Sequence, residues 1–225
     1  LEFSHATVIV DPCLHCVSYS NYKRLIPSPL KMEDIPPVSA VLITNENEDH
    51  FDKKAVEYLA LRDNACVIAH DSVLSELNIP ARCKRAVIVN SKVHVRGFQI
   101  DVVPAHHPRS FYPMGYNITA DNITVYHAGD TDLQEEYAPD FTAHVALLPI
   151  GGNITMDIVD AVKATKVLKP DVVIHMHYNT FDMIRASPEE FARKIEKSNL
   201  KTKPVVLAPN ERFEFNPSPV PVLKL

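Results

Sequence analysis

Glycine is scarce: the chain has five in 225 residues. Three of them, Gly129, Gly151 and Gly152, lie in two short motifs. A chain so sparing with the one residue that tolerates left-handed backbone has a backbone reason for each placement. Long basic blocks are also missing. The densest cluster, Arg82, Lys84 and Arg85, is short, and the formal net charge is −5. That lacks the electrostatic footprint of a nucleic-acid binder, so no nucleic-acid partner is expected. No apolar run is long enough to cross a bilayer, so no membrane partner is expected. No secretory signal is visible, which leads to a cytoplasmic expectation with reduced thiols. Cys13 and Cys16 form a C-x-x-C, while Cys66 and Cys83 stand alone. A structural zinc site of the paired-cysteine kind needs a second close pair. The spacing is therefore read as accidental, with a redox pair or an irregular four-cysteine site as alternatives.

What remains is an ordinary globular composition, 46% apolar and 23% charged, in a chain long enough for one large α/β domain over residues 1–225. Short β-branched runs read as strands at Thr7–Val10, Val41–Thr44, Cys66–Ala69, Ala86–Val89, Lys92–Val95, Phe98–Val103, Tyr116–Thr119, Thr124–His127, Val145–Ile150, Val172–Ile174 and Val205–Ala208. Helical spacing marks Lys53–Arg62, Ser72–Leu77 with Asp71 as its cap, Ile158–Leu168 and Pro188–Lys197. Asp121-Asn122 suits a hairpin turn. The proline-rich stretch Asn21–Pro37 reads as a surface loop, and the tail from Asn216 to Leu225 as peripheral.

Chemistry-bearing groups gather just beyond the strands. After Val41–Thr44 come Asn45, Asn47, Asp49 and His50. Adjacent Asp49 and His50 can present a carboxylate and an imidazole to one point, although a polar loop with an Asp N-cap also accounts for these residues. Tyr126-His-Ala-Gly-Asp-Thr delivers Asp130 at a strand end through a Gly129 turn. Leu148-Pro-Ile-Gly-Gly, followed by Thr155-Met156, brings backbone close to something. His175 and His177, two apart after Val172–Ile174, could face one site on extended chain. His106 and His107 are neighbours, so at most one of them faces a given site.

These ordered motifs, with Asp11-Pro12 closing an early strand and Thr44, Asp49 and His50 matching a Thr-His-x-His-x-Asp-His loop, resemble the metallo-β-lactamase superfamily. The likeness is to its branch of uncharacterised metal-dependent hydrolases near the ascorbate-phosphate lactonases. Asn45 and Asn47 stand where that loop carries histidines. The branch also opens with a Gly-His strand missing here, consistent with a shortened start before Leu1. The resemblance implies an αβ/βα sandwich of two mixed sheets flanked by helices, with a metal site at one edge. It implies a second metal position at Asp49, His50 and His177, bridged by Asp130, and a first built from Asn45, Asn47 and His107. Some relatives carry a ligand nearer Tyr112.

Amide oxygens are weak ligands for zinc, so at most one metal, zinc or manganese, is expected per chain, with His175 as a compensating ligand. The expected function is hydrolysis of a small ester, lactone or phosphoester by a metal-bound hydroxide. Asp49 and Asp130 are the expected catalytic groups, and Tyr178, Asn179 and Thr180 the expected contacts to a small-molecule substrate. The alternative is a degenerate, non-catalytic binding or scaffolding protein. A nuclease is the third reading.

Overall fold

The computed structural model describes residues 1–16, 18, 19, 22–134 and 141–217. Of the expected tail, residues 218–225 lie outside this set, as does position 21 at the start of the proline-rich loop. Along the chain the elements are β1 (Val8–Val10), a two-strand ribbon of β2 (Ser18–Tyr19) and β3 (Tyr22–Lys23), and β4 (Ala40–Leu42). Next come α1 (Lys53–Asp63), β5 (Cys66–Ala69), α2 (Asp71–Glu76) and β6 (Lys84–Ala86). An antiparallel run follows: β7 (Lys92–Val95), β8 (Phe98–Pro104), β9 (Met114–Ala120) and β10 (Ile123–His127). The chain ends with β11 (Val145–Pro149), α3 (Ile158–Leu168), β12 (Val172–Met176), α4 (Pro188–Glu196) and β13 (Lys203–Val205).

These strands form two sheets. One is parallel throughout, in the order β1-β4-β5-β6. The other is mixed, in the order β13-β12-β11-β10-β9-β8-β7, parallel from β10 to β13 and antiparallel beyond. Period-2 alternation sorts their side chains into layers. Val8, Ala40, Leu42 and Ile68 of the first sheet meet Phe98, Ile100, Tyr116 and Ile118 of the second in the central core. Val41, Ile43 and Val67 face the other way, under Val56 and Leu59 of α1 and Val73 and Leu74 of α2. On the far side, Tyr126, Ala146, Leu148 and Val173 are covered by α3 and α4 through Ala161, Ala164, Leu168, Phe191 and Ile195. The architecture is the αβ/βα sandwich that the resemblance implied.

Local chemistry sets the boundaries. Asp52, Asp157 and Ser187 cap α1, α3 and α4 by accepting backbone N–H groups, and α4 starts with Pro188. Asp121 and Asn122 both take left-handed φ (52° and 61°), as the tight β9–β10 turn requires. In three places the structure differs from the sequence reading, one of them the last strand, expected at Val205–Ala208 and found at Lys203–Val205, where it pairs with β12. His70 caps α2, its ring nitrogen accepting from Ser72 N, so Asp71 is the first helical residue. The strand expected at Ala86–Val89 lies earlier, at Lys84–Ala86, because it pairs with β5 in the first sheet and does not lead the antiparallel run. The proline-rich loop also holds β3, which pairs with β2 just before the loop, and a 3-10 turn at Met32–Asp34.

The glycines answer to close approaches of backbone. A Cβ on Gly129, at φ 63°, would stand 2.6 Å from Met114 O, and one on Gly151 would stand 2.4 Å from His177 O. Gly97 has φ 89° but open space around it. Gly129→Ala should therefore cost about 2–4 kcal/mol, combining left-handed strain with overpacking, and Gly97→Ala only about 1 kcal/mol. Urea unfolding of the two variants checks this, and equal midpoints would show that the β10 end shifts freely.

Candidate metal centre

Asp49 and His50 follow β4, Asp130 follows β10 and His177 follows β12, so both sheets contribute to one edge. The chain reaches this edge through unusual backbone. His177 has φ 54°, a left-handed value that is uncommon for a side chain with a Cβ and that recurs at functional sites. Gly151 lets the His177 carbonyl pass. A buried hydrogen bond from Tyr116 Oη to Ile43 O, 2.6 Å, ties the second sheet to the end of the β4 strand beneath the loop.

The four side chains converge. His50 Nε2 lies 3.1 Å from Asp130 Oδ2 and 3.8 Å from Asp49 Oδ2. His177 Nε2 lies 3.3 Å from Asp130 Oδ1 and 3.5 Å from Asp49 Oδ2. The donor atoms of Asp49, His50 and His177 all fall within 4.8 Å of one another. Around a tetrahedral ion with bonds near 2.1 Å, donor atoms are spaced about 3.4 Å apart. Asp49 Oδ1, His50 Nε2, Asp130 Oδ1 and His177 Nδ1 are buried without a hydrogen-bond partner. Orphaned buried polar atoms are costly, and a cation in this cluster would satisfy His50 Nε2 and Asp130 Oδ1, which both lie within it. The residues present therefore fit a divalent ion.

The orienting shell is equally specific. Asp11, at the end of β1 in left-handed backbone (φ 47°), accepts from Thr44 N at 2.8 Å, Thr44 Oγ1 at 2.6 Å and His50 Nδ1 at 2.8 Å. With Nδ1–H given to Asp11, His50 presents Nε2 to the centre. This role of Asp11 was missed in the sequence. Its signal was the Asp11-Pro12 motif, which there marked only a strand end.

Of the remaining candidates, His107 borders the cluster and the others are engaged in contacts of their own. Asn45 Oδ1 accepts Asn47 N at 2.9 Å, closing an Asx turn. Asn47 Nδ2 donates to His107 Nε2 at 3.2 Å, while His107 Nδ1 donates to Ile154 O at 3.1 Å. His107 is buried 3.7 Å from Asp130 Oδ2, whereas His106 is exposed. His175 points away from the centre, edge-on to Tyr178 and Phe191 of α4, with both ring nitrogens unpartnered. It cannot stand in for a missing ligand, because alternation along β12 sends it into the helix layer. Tyr178 packs in that same layer. Asn179 spends its side chain on Ala186 N and O, and Thr180 O accepts Leu25 N. Of the expected substrate contacts, the Asn179 side chain is thus occupied in shaping the turn. Tyr112 stacks on His70 at a centroid distance of 3.5 Å. A recess of about 10 Å³, walled by Ile154, Phe181, Met183 and Ile184, opens on Asp49, Asp130 and His177. That is room for one water or a bare ion.

Residues 1–177 match the family described as Beta-lactamase superfamily domain. The chain belongs to the metallo-β-lactamase superfamily. Within the superfamily it is 36% identical over 220 residues to a UPF0173 metal-dependent hydrolase of Hyperthermus butylicus, covering 93% of this chain and 92% of the relative. A second protein of that name, from Thermofilum pendens, is 38% identical over 198 residues, covering 84% of each. Among solved structures, Igni18, a metallo hydrolase from Ignicoccus hospitalis, superposes with a TM-score of 0.80 at 32% identity over 96% of this chain and 94% of that one. No helix among the described residues is long and apolar enough to cross a membrane.

Charge in the superfamily site is strongly coupled. Burial works against the His50 imidazolium, but Asp130 and Asp11 outweigh it and raise its pKa well above the usual value. His177 is raised in the same way, burial being overcome by Asp130 and Asp49. Burial also opposes charge on Asp49 and Asp130, yet the two histidines hold both carboxyls below their usual range. His127, three residues before Asp130, is driven by burial down to about 4.

The sign for stability follows for protein stripped by a chelator. Raised histidines contribute fully below about pH 6.5, and that contribution is lost as pH rises through their folded values. The depressed His127 does the reverse: between about 6.5 and 4 the unfolded chain binds the extra proton, so stability falls with acid. The melting temperature of the stripped protein should peak near pH 6.5, and His127→Gln should flatten the acid limb. A curve rising steadily to pH 9 would contradict this.

Proposed function

We propose that this protein hydrolyses a small ester, lactone or phosphoester with a single divalent ion, zinc or manganese, held by Asp49, His50, His177 and Asp130. The observation that supports it most is the convergence of two imidazoles and two carboxylates from both sheets, with His50 Nε2 and Asp130 Oδ1 unpartnered among them, beside a neighbouring position closed by amides. Two imidazoles and two carboxylates suit either metal. A bound divalent ion supplies Lewis acidity and an acidified water near neutral pH. Asp11 fixes the His50 tautomer so that Nε2 faces inward. Asp130 and Asp49, kept ionised by their surroundings, orient the attacking water and accept its proton. Ile154, Phe181, Met183 and Ile184 exclude bulk solvent, and the small recess requires the 181–184 turn to move for substrate entry. A nucleic-acid substrate forms no part of this reading.

The first position, with its amides, supports the single-metal count. Asn45 Oδ1 is spent on backbone and the His107 lone pair on Asn47, so neither offers a free donor there. The same closure favours the competing reading of a degenerate, non-catalytic relative, and metal analysis separates the two.

Protein dialysed against zinc or manganese should retain at most one ion per chain. His177→Ala should cut both metal content and hydrolysis of an activated ester or phosphoester, and Asp11→Asn should weaken metal affinity by about 10–100-fold. Changing Asn45 and Asn47 together to His should raise the stoichiometry. Two ions in the wild type would refute the single site, and none at neutral pH would favour the non-catalytic reading. Turnover that survives both His177→Ala and a chelator would sink the metal mechanism.

A further inference from the structure

The C-x-x-C is not absorbed by the metal centre, and the structure gives it a setting of its own. Cys13 and Cys16 are both partly exposed and free, three residues apart in one short loop. Cys13 Sγ lies 3.6 Å from Glu48 O, the residue before Asp49, and Cys16 Sγ 3.3 Å from Ser18 O. Arg24 stands over the pair, with Nη1 3.1 Å from Cys13 O, 3.6 Å from Cys13 Sγ and 3.5 Å from Cys16 O. Between the two cysteines, Leu14 N, His15 N and His15 Nδ1 all converge on Asp52 Oδ2, at 3.1, 2.7 and 2.8 Å. Asp52 is the N-cap of α1, two residues after His50, and Asp11 lies two residues before Cys13. The loop carrying the thiols is therefore bound to the site loop from two sides.

We propose that Cys13 and Cys16 are a redox modification site, closed to an intraloop disulfide by a low-molecular-weight disulfide such as oxidised glutathione, and that closure loosens the metal centre. The Cys16 thiolate attacks one sulfur of the reagent, forming a mixed disulfide and expelling one thiolate. Cys13 loses its proton to that thiolate and attacks the Cys16 sulfur, which expels the second. The protein dithiol gives up two electrons and two protons, and the reagent leaves as two thiols. The order of attack follows from the environment. The neighbouring Cys13 thiol, with Arg24 over the loop, lowers the Cys16 thiol to about 7 against burial and the Asp49 charge, whereas Cys16 beside it and burial raise Cys13. Closure consumes the Cys13 hydrogen that faces Glu48 O and draws the loop away from the Asp11 and Asp52 contacts.

The oxidation half stands without any metal, and the coupling half rests on the proposed metal centre. Full-length protein is incubated with oxidised glutathione, alkylated, weighed intact and peptide-mapped. Wild type should lose two hydrogens, carry no glutathione, retain two alkylatable thiols and show a Cys13–Cys16 bond that dithiothreitol reverses. Cys13→Ser should stop at a stable glutathione adduct on Cys16. A stable adduct on wild type, or four thiols still free, overturns the site. For the coupling, manganese is titrated into the stripped reduced and oxidised forms, since it has little affinity for thiols. The oxidised form should bind about tenfold more weakly, the lower end of effects seen for outer contacts of a metal site, and the Cys13→Ser/Cys16→Ser variant should not respond to oxidant. Equal affinities overturn the coupling and leave the disulfide standing, and binding by neither form overturns the metal reading and the coupling with it.

Discussion

The carboxylate of Asp11 is the interaction on which the rest depends. It ends β1 in a left-handed turn and takes three donors at once: the Thr44 amide, the Thr44 hydroxyl and the His50 ring. One group thereby joins two neighbouring parallel strands, sets where β4 gives way to the site loop, and selects the histidine nitrogen that faces the centre. Charge-assisted hydrogen bonds of this kind are stronger than neutral ones, and a buried acceptor with all its donors present is rigid. Removing the charge disturbs strand ends and site chemistry together.

The centre itself is a balance of burial against charge. Two imidazoles and two carboxylates sit where water is excluded, and each carboxylate is kept ionised chiefly because the histidines beside it accept a proton readily. Without a cation, protons on His50 and His177 serve as the compensating charge. An ion takes over that task and needs the same nitrogens neutral, so metal and proton compete for one position.

Much of this was legible in the chain. β-branched runs ending abruptly in polar residues located Asp49, Asp130 and His177, because a parallel strand buried on both faces must stop where its polar loop begins. The glycine economy was informative too, since Gly129 and Gly151 mark points where backbone meets backbone. What sequence could not supply was direction. His175 and His177 share a spacing that an extended strand would point one way, but His175 keeps the strand alternation and lies among Tyr178 and Phe191, while the left-handed turn at His177 breaks it and turns that ring to the centre. Likewise, Asn179 looked free to meet substrate, yet a turn of such short range consumes its side-chain amide on its own backbone. The strand misplaced at Ala86–Val89 has a similar cause, because pairing with β5 is a long-range choice that local hydrophobicity does not encode.

The two-sheet origin of the site has a mechanical consequence. Asp49 and His50 hang from the four-stranded sheet, and Asp130 and His177 from the seven-stranded one, so any ion gripped by all four is a rivet through the sandwich. A ligand that binds only the assembled form stabilises it by mass action, about 4 kcal/mol at a thousandfold excess over its dissociation constant. Opening of the two halves and release of the ion then become a single event. Slow hydrogen exchange at the amides of β4 and β12 would register occupancy at a distance from the ion itself.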